Sequence, residues 1–101
     1  MLREFFLGVV KILILYHANL APVFGKGLMQ ELGRHGYLIG PGTLYPILHG
    51  LEKEKLLRSY KETVGGKVRR YYRITSTGQS AFIEARQKMS VLVKEILTQS
   101  H

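Results

Sequence analysis

Gly40-Pro41-Gly42-Thr43-Leu44-Tyr45-Pro46-Ile47-Leu48 joins a chain breaker to the opening of a helix. Its glycines and prolines stop the upstream segment, while Leu44, Ile47, Leu48 and Leu51 recur at helical spacing and so turn inward. Thr43, Tyr45 and Pro46 fall on the first turn. Pro46 lacks an amide, which is tolerable only where that amide has little or no intrahelical partner. The helix is therefore expected to start just before Thr43 and to run from about Gly42 to Lys55.

Upstream, a helix is predicted over roughly Phe24 to Arg34, with Leu28, Met29 and Leu32 inward and a stop at Gly33-Arg34-His35-Gly36. Gly25 and Gly27 weaken its beginning by about 1 kcal/mol each relative to Ala, which points to a close neighbour that needs the missing side chains. Asn19 to Pro22 reads as a connector. Before it, about Leu2 to Tyr16 forms a first helix with Leu2, Phe5, Phe6, Val9, Val10, Leu13 and Ile14 on one face. Leu7, Ile12 and Leu15 fill much of the remainder, so this helix wants cover on two sides. Lys11 interrupts the run, and a membrane span needs about 18 apolar residues, so the segment reads as a structural helix of a cytoplasmic protein with no membrane partner.

Downstream, Leu57 to Thr63 and Val68 to Thr75 are extended runs around Val64-Gly65-Gly66-Lys67, a tight-turn signal that predicts a two-stranded wing. Thr75 is placed to cap the next helix, with Gly78 in its first turn. In that last helix Phe82, Ala85, Met89, Leu92 and Ile96 are three, four, three and four residues apart, a short a/d seam suited to a second copy of the chain. Phe5 and Val9 of the first helix are expected to join this dimer contact. Val93 and Leu97 widen the stripe, as an ordinary packed helix would also have it.

The chain has 101 residues, one domain by length and marginal in core size. It has no cysteine, which excludes disulfides, thiolate metal sites and thiol catalysis; its seven acids are all Glu. No nucleophile, base and orienting group share a recognisable spacing, so an enzyme is not expected. His17, His35, His49 and His101 lack metal-ligand spacing, and no cofactor is implied. Net charge is +8, and from Lys53 to Arg73 eight basic residues stand against Glu54 and Glu62, so +6 of it lies in one stretch. A patch of this kind suits a polyanion.

Three helices followed by a β-ribbon predict a mainly α fold with a two-stranded β wing, a winged helix-turn-helix over residues 1–78. Residues 79–101 form a C-terminal dimerisation helix packing with helix 2–16. In such a fold the third helix enters the major groove of double-stranded DNA. Thr43, Tyr45, Pro46 and His49 are the groove-facing candidates, although Tyr45 is equally suited to packing against the wing and His49 to standing free in solvent. Lys61, Lys67, Arg69 and Arg70 are the wing candidates. Strand alternation separates Arg69 from Arg70, which leaves Arg70 either a phosphate ligand or an internal bridge to Glu52 or Glu54.

Gly42-Thr43-Leu44-Tyr45-Pro46, then Leu48, Leu51, Glu52 and Leu56-Leu57, then Arg69-Arg70-Tyr71-Tyr72-Arg73-Ile74-Thr75 with Gly78, together resemble the PadR family of transcriptional regulators. The likeness covers nearly the whole chain. It implies a homodimeric DNA-binding repressor of the compact subfamily, in which the first and last helices form the subunit interface and the cavity between subunits receives flat aromatic or drug-like effectors. The chain departs from the family pattern at Gly40, where many relatives have a capping serine, and at Gly25-Lys26, where Gly-Tyr is usual. It has no Trp for indole stacking on a ligand. A non-specific architectural DNA-binding or protein-interaction dimer is the alternative, and it predicts sequence-indifferent binding.

Overall fold

The computed structural model describes residues 1–98. His101 and the end of the 79–101 unit lie outside them. The chain runs α1 (Leu2–Leu20), β1 (Val23–Phe24), α2 (Gly25–Arg34), α3 (Pro41–Lys53), β2 (Leu57–Val64), β3 (Lys67–Ile74) and α4 (Ser76–Thr98). The sheet order is β1-β3-β2, antiparallel throughout. The fold is mainly helical with a small antiparallel wing, as the spacing predicts.

Besides one-residue shifts at the ends of the ribbon strands, four boundaries differ from expectation. α1 continues past Tyr16 to Leu20, because nothing between them breaks a helix and Ala18 is buried in the core. It ends where Pro22 forces Ala21 into extended backbone, φ −167° and ψ 159°. Phe24, expected as the start of α2, and Val23, just beyond the connector, instead pair with Tyr71 and Tyr72 and make the wing three-stranded. α3 starts at Pro41, so Pro46 sits inside the helix. Its missing amide leaves the carbonyl of Gly42 without the usual i to i+4 bond, and that residue is exposed to water. α3 also stops at Lys53 rather than Lys55, closed by Leu56 N–H to Leu51 O at 2.9 Å with Lys55 at φ 65°.

The core joins Val10, Ile14 and Leu15 of α1, Leu28 and Leu32 of α2, and Leu44, Leu48 and Leu51 of α3. Leu57, Tyr72 and Phe82 complete it. α4 is tied to the body at its beginning. The Thr75 hydroxyl accepts from Gly78 N–H at 2.9 Å and donates to the Lys55 carbonyl at 2.6 Å. Gln79 Nε2 donates to Asn19 Oδ1 at 3.1 Å, and the Phe82 ring lies 6.0 Å from that of Tyr16, so the two helices run antiparallel. Beyond this contact α4 leaves the body. The radius of gyration is 15.0 Å and the longest extent 58 Å, against a radius of about 13 Å for a compact chain of this length. No helix among the described residues is long and apolar enough to cross a membrane.

Candidate functional site

The buried stripe Leu44, Leu48 and Leu51 fixes the rotation of α3 and so decides which residues face water. Gly42, Tyr45, Pro46, His49 and Lys53 are exposed on a single face, and Thr43 is half-buried beside them. Gly40 caps the helix without a side chain. Pro41 has no amide and Thr43 N–H bonds back to Gly40 O at 3.1 Å, which leaves Gly42 to offer its donor outward.

Tyr45 packs across the start of α2. A Cβ on Gly25 would stand 2.6 Å from ring carbons of Tyr45, so the missing side chain at Gly25 is what lets the ring lie flat there. The Tyr45 and His49 ring centroids are 6.5 Å apart. The ring thus packs against the start of α2 rather than against the wing, and is 36% exposed on its other side.

The wing reaches outward as a ribbon whose tip, Gly65-Gly66, has φ 58° and 80°; Val64 pairs with Lys67 across it. Both central residues need positive φ, which is why two glycines stand there. Thr63 to Val68 are all exposed. Lys67, Arg69 and Tyr71 share the outer face, where the Arg69 guanidinium lies 4.4 Å from the ring centre of Phe24. Lys61 and Arg70 are opposite each other on the inner face. Arg70 makes no direct bridge to Glu52 or Glu54; its Nη1 donates to Ser59 Oγ at 3.0 Å, and Ser59 Oγ donates to Glu52 Oε2 at 2.6 Å.

A cleft of about 300 Å³ lies between the start of α2 and the edge of the wing, with Phe24, Gly25 and Lys26 on one side, Lys67 to Arg70 on the other, and Tyr45 as the α3 residue that reaches it. Lys26, whose charge is expected from the sequence to face either DNA phosphate or an altered pocket, lines this cleft. Its signal in sequence was the charge replacing the usual Tyr after Gly25. It stands in the first turn of α2, which carries no acid, a position where the helix dipole disfavours a cation and favours an anion. Among the described residues the ion pairs involve Glu4, Glu31 and Glu84, so Lys26, Lys61 and Lys67 have no carboxylate within 4.0 Å.

The residues expected at a subunit contact divide into two sets. Phe82 is 6% exposed and belongs to the core of its own chain, because the first turns of α4 cross α1 there; Ala85 is half-buried, as is Val9. Met89, Leu92 and Ile96 are open, as is Phe5, and Val93 and Leu97 extend the same apolar surface.

The family model for the transcriptional regulator PadR-like family matches residues 14–84. Transcriptional regulator Rv3488 of Mycobacterium tuberculosis is 48% identical over 99% of this chain and 94% of its own length. Two solved structures are similar over most of their lengths. A PadR family transcriptional regulator from Eggerthella lenta is 32% identical with a TM-score of 0.85, covering 100% of this chain and 91% of that one. A PadR-like transcriptional regulator from Bacillus cereus is 31% identical with a TM-score of 0.84, covering 93% and 95%.

Proposed function

The chain belongs to the PadR-like family of DNA-binding transcriptional regulators, which are not enzymes, and on that premise we propose that it is a homodimeric repressor acting in the cytoplasm on a pseudo-palindromic operator. Residues 1–78 would hold the duplex. Residues 79–101, with helix α1, would hold the second subunit.

The observation that carries this reading is the juxtaposition of Tyr45, on the exposed stripe of α3, with the glycine-tipped basic ribbon, across a cleft lined by Lys26 and Lys67, which have no carboxylate partner among the described residues. Thr43, Tyr45, Pro46 and His49 would meet base edges and sugars in the major groove. Lys61, Lys67 and Arg69 would position the phosphate backbone, with Arg70 close behind them. Lys26 and the Gly42 amide add two donors toward phosphate.

A dyad follows from the projecting half of α4. Met89, Leu92 and Ile96 are exposed apolar side chains on that half, and with Phe5 and Val9 of α1 they would be covered symmetrically by a second copy. Two such subunits would set their third helices about 34 Å apart, one turn of the duplex. An aromatic or drug-like effector would act at this subunit contact, by changing that separation.

Selection of duplexes from a randomised pool at moderate salt, followed by footprinting, tests the proposal. The expected result is an inverted repeat protected on one face of the DNA and preferred over random duplex. Uniform protection with no preferred sequence would refute it and favour the architectural module. Release of the selected duplex by flat aromatic compounds is the expected behaviour for the effector, and indifference to a broad panel of them removes that part.

A further inference from the structure

Glu52 occupies the last turn of α3, half-buried, with no lysine or arginine within ion-pair distance among the described residues. Its Oε2 instead takes two hydrogen bonds from a single residue of β2: Ser59 N–H at 3.1 Å and Ser59 Oγ at 2.6 Å. β2 is an outer strand of the sheet. The carboxylate thus clamps the third helix to the root of the wing through both backbone and side chain. Ser59 has one hydroxyl proton, and it goes to Glu52. Its lone pairs are then free to accept, and Arg70 Nη1 donates to them at 3.0 Å.

The register gives this relay a purpose. Arg70 lies directly opposite Lys61, and like charges facing each other across two strands push the ribbon apart. Ser59 is the diagonal neighbour, within reach of a long side chain. The relay draws the guanidinium away from Lys61 and toward the carboxylate, and it leaves Lys61 unpaired. Beyond Arg70 the exposed tip Thr63 to Val68 has no other polar tie to α3 among the described residues.

We propose that Glu52 is a positioning residue that fixes the angle between α3 and the wing through Ser59, and that Arg70 works within this relay rather than on a phosphate. The inference rests on the duplex-binding reading above and assigns a role within it. A two-point grip on DNA gains affinity only if both points are already at the correct separation, so the relay acts by preorganisation and not by contact.

The test uses the full chain and two readouts. Without DNA, residual dipolar couplings report the orientation of β2 and β3 relative to α3. Glu52→Ala and Ser59→Ala are expected to change it, while Ser59→Thr, which keeps the hydroxyl, restores it. Unchanged orientation in the two alanine variants overturns the proposal even if the chain binds no duplex. With a selected duplex, Glu52→Ala, Ser59→Ala and Arg70→Met are each expected to weaken binding about tenfold while leaving its salt dependence unchanged. In a background with Lys61, Lys67 and Arg69 all replaced by alanine the same changes should cost less than about threefold, because the wing grip is already lost. Equal losses in both backgrounds overturn the proposal. So does a salt slope reduced by about 0.9 in Arg70→Met, the mark of a lost phosphate contact. If Glu52→Ala does not fold, Ser59→Ala, which retains the backbone bond to Glu52, carries both readouts.

Discussion

Gly78→Ala separates the tertiary structure from local helix preference, because the two predict opposite signs. Gly78 is in the first turn of α4, where alanine is favoured over glycine by about 1 kcal/mol. A Cβ at this position, however, would strike the carbonyl of Leu56, standing 3.0 Å from its carbon and 2.7 Å from Ile74 Cγ1. The obstacle is backbone, and α4 cannot retreat cheaply. Thr75 N–H bonds the same Leu56 carbonyl at 3.1 Å, and Thr75 Oγ1 holds both Gly78 N–H and the Lys55 carbonyl. Overpacking costs about 1–3 kcal/mol and loosening the cap costs about 1 kcal/mol more. Against the propensity gain, the expected net loss is about 2 kcal/mol, or a fall of about 10 °C in Tm. Urea and thermal unfolding at fixed protein concentration measure it, since subunit association would otherwise move the midpoint. Gly50→Ala is the control. Nothing lies within 4 Å of a Cβ there, so that variant should gain up to about 1 kcal/mol. Stabilisation by both substitutions would refute the close crossing of α4 over the start of β2.

Met89→Glu or Leu92→Glu should convert the dimer to a monomer and lower affinity for a two-half-site duplex by at least about a hundredfold; sedimentation showing an unchanged dimer would contradict the subunit contact proposed here. Lys67→Ala should weaken binding to all sequences and reduce the salt slope by about 0.9, whereas Thr43→Val should reorder sequence preference at constant slope, as read by repeating the duplex selection. Tyr72→Phe should be neutral or stabilising by up to about 1 kcal/mol, because the Tyr72 hydroxyl is buried without a partner among the described residues; a loss above about 2 kcal/mol on urea unfolding would show that it has one. The hydrogen bond from Arg34 first of all, with help from His35, holds the Glu31 carboxyl below the usual carboxylate range against the opposing effect of desolvation. A depressed value in the folded state stabilises at neutral pH and is lost as pH falls through it, so Glu31→Gln should be the less stable protein at pH 7 and approach the wild type below about pH 4.3. A gap that widens with acid would reverse that sign.

Much of the fold is legible along the chain because its signals are local. Leu44, Leu48 and Leu51 state both that a helix follows Gly40 and which side of it is buried. Gly65-Gly66 states where the ribbon turns, since only that pair takes two positive φ angles without strain. Thr75 and Gly78 mark the start of α4 by cap chemistry alone. The basic stretch from Lys53 to Arg73 and the absence of cysteine bound the function before any contact is known. Family membership was likewise readable, from motifs that keep their order and separation.

What the chain does not announce arises where residues distant in sequence meet. Two residues are too few for strand periodicity, so Val23-Phe24 becomes β1 only because β3 offers an open edge. Phe82 fits a seam by spacing, yet it is buried in its own domain because α4 crosses α1 at Tyr16. Glu52, Ser59 and Arg70 carry no shared motif; register and the packing of α3 against β2 bring them together. Composition and spacing determine elements and charge, through forces acting within a few residues. The tertiary structure alone decides which cations have partners, since Coulomb and hydrogen-bond energies depend on distances in space that sequence separation does not encode.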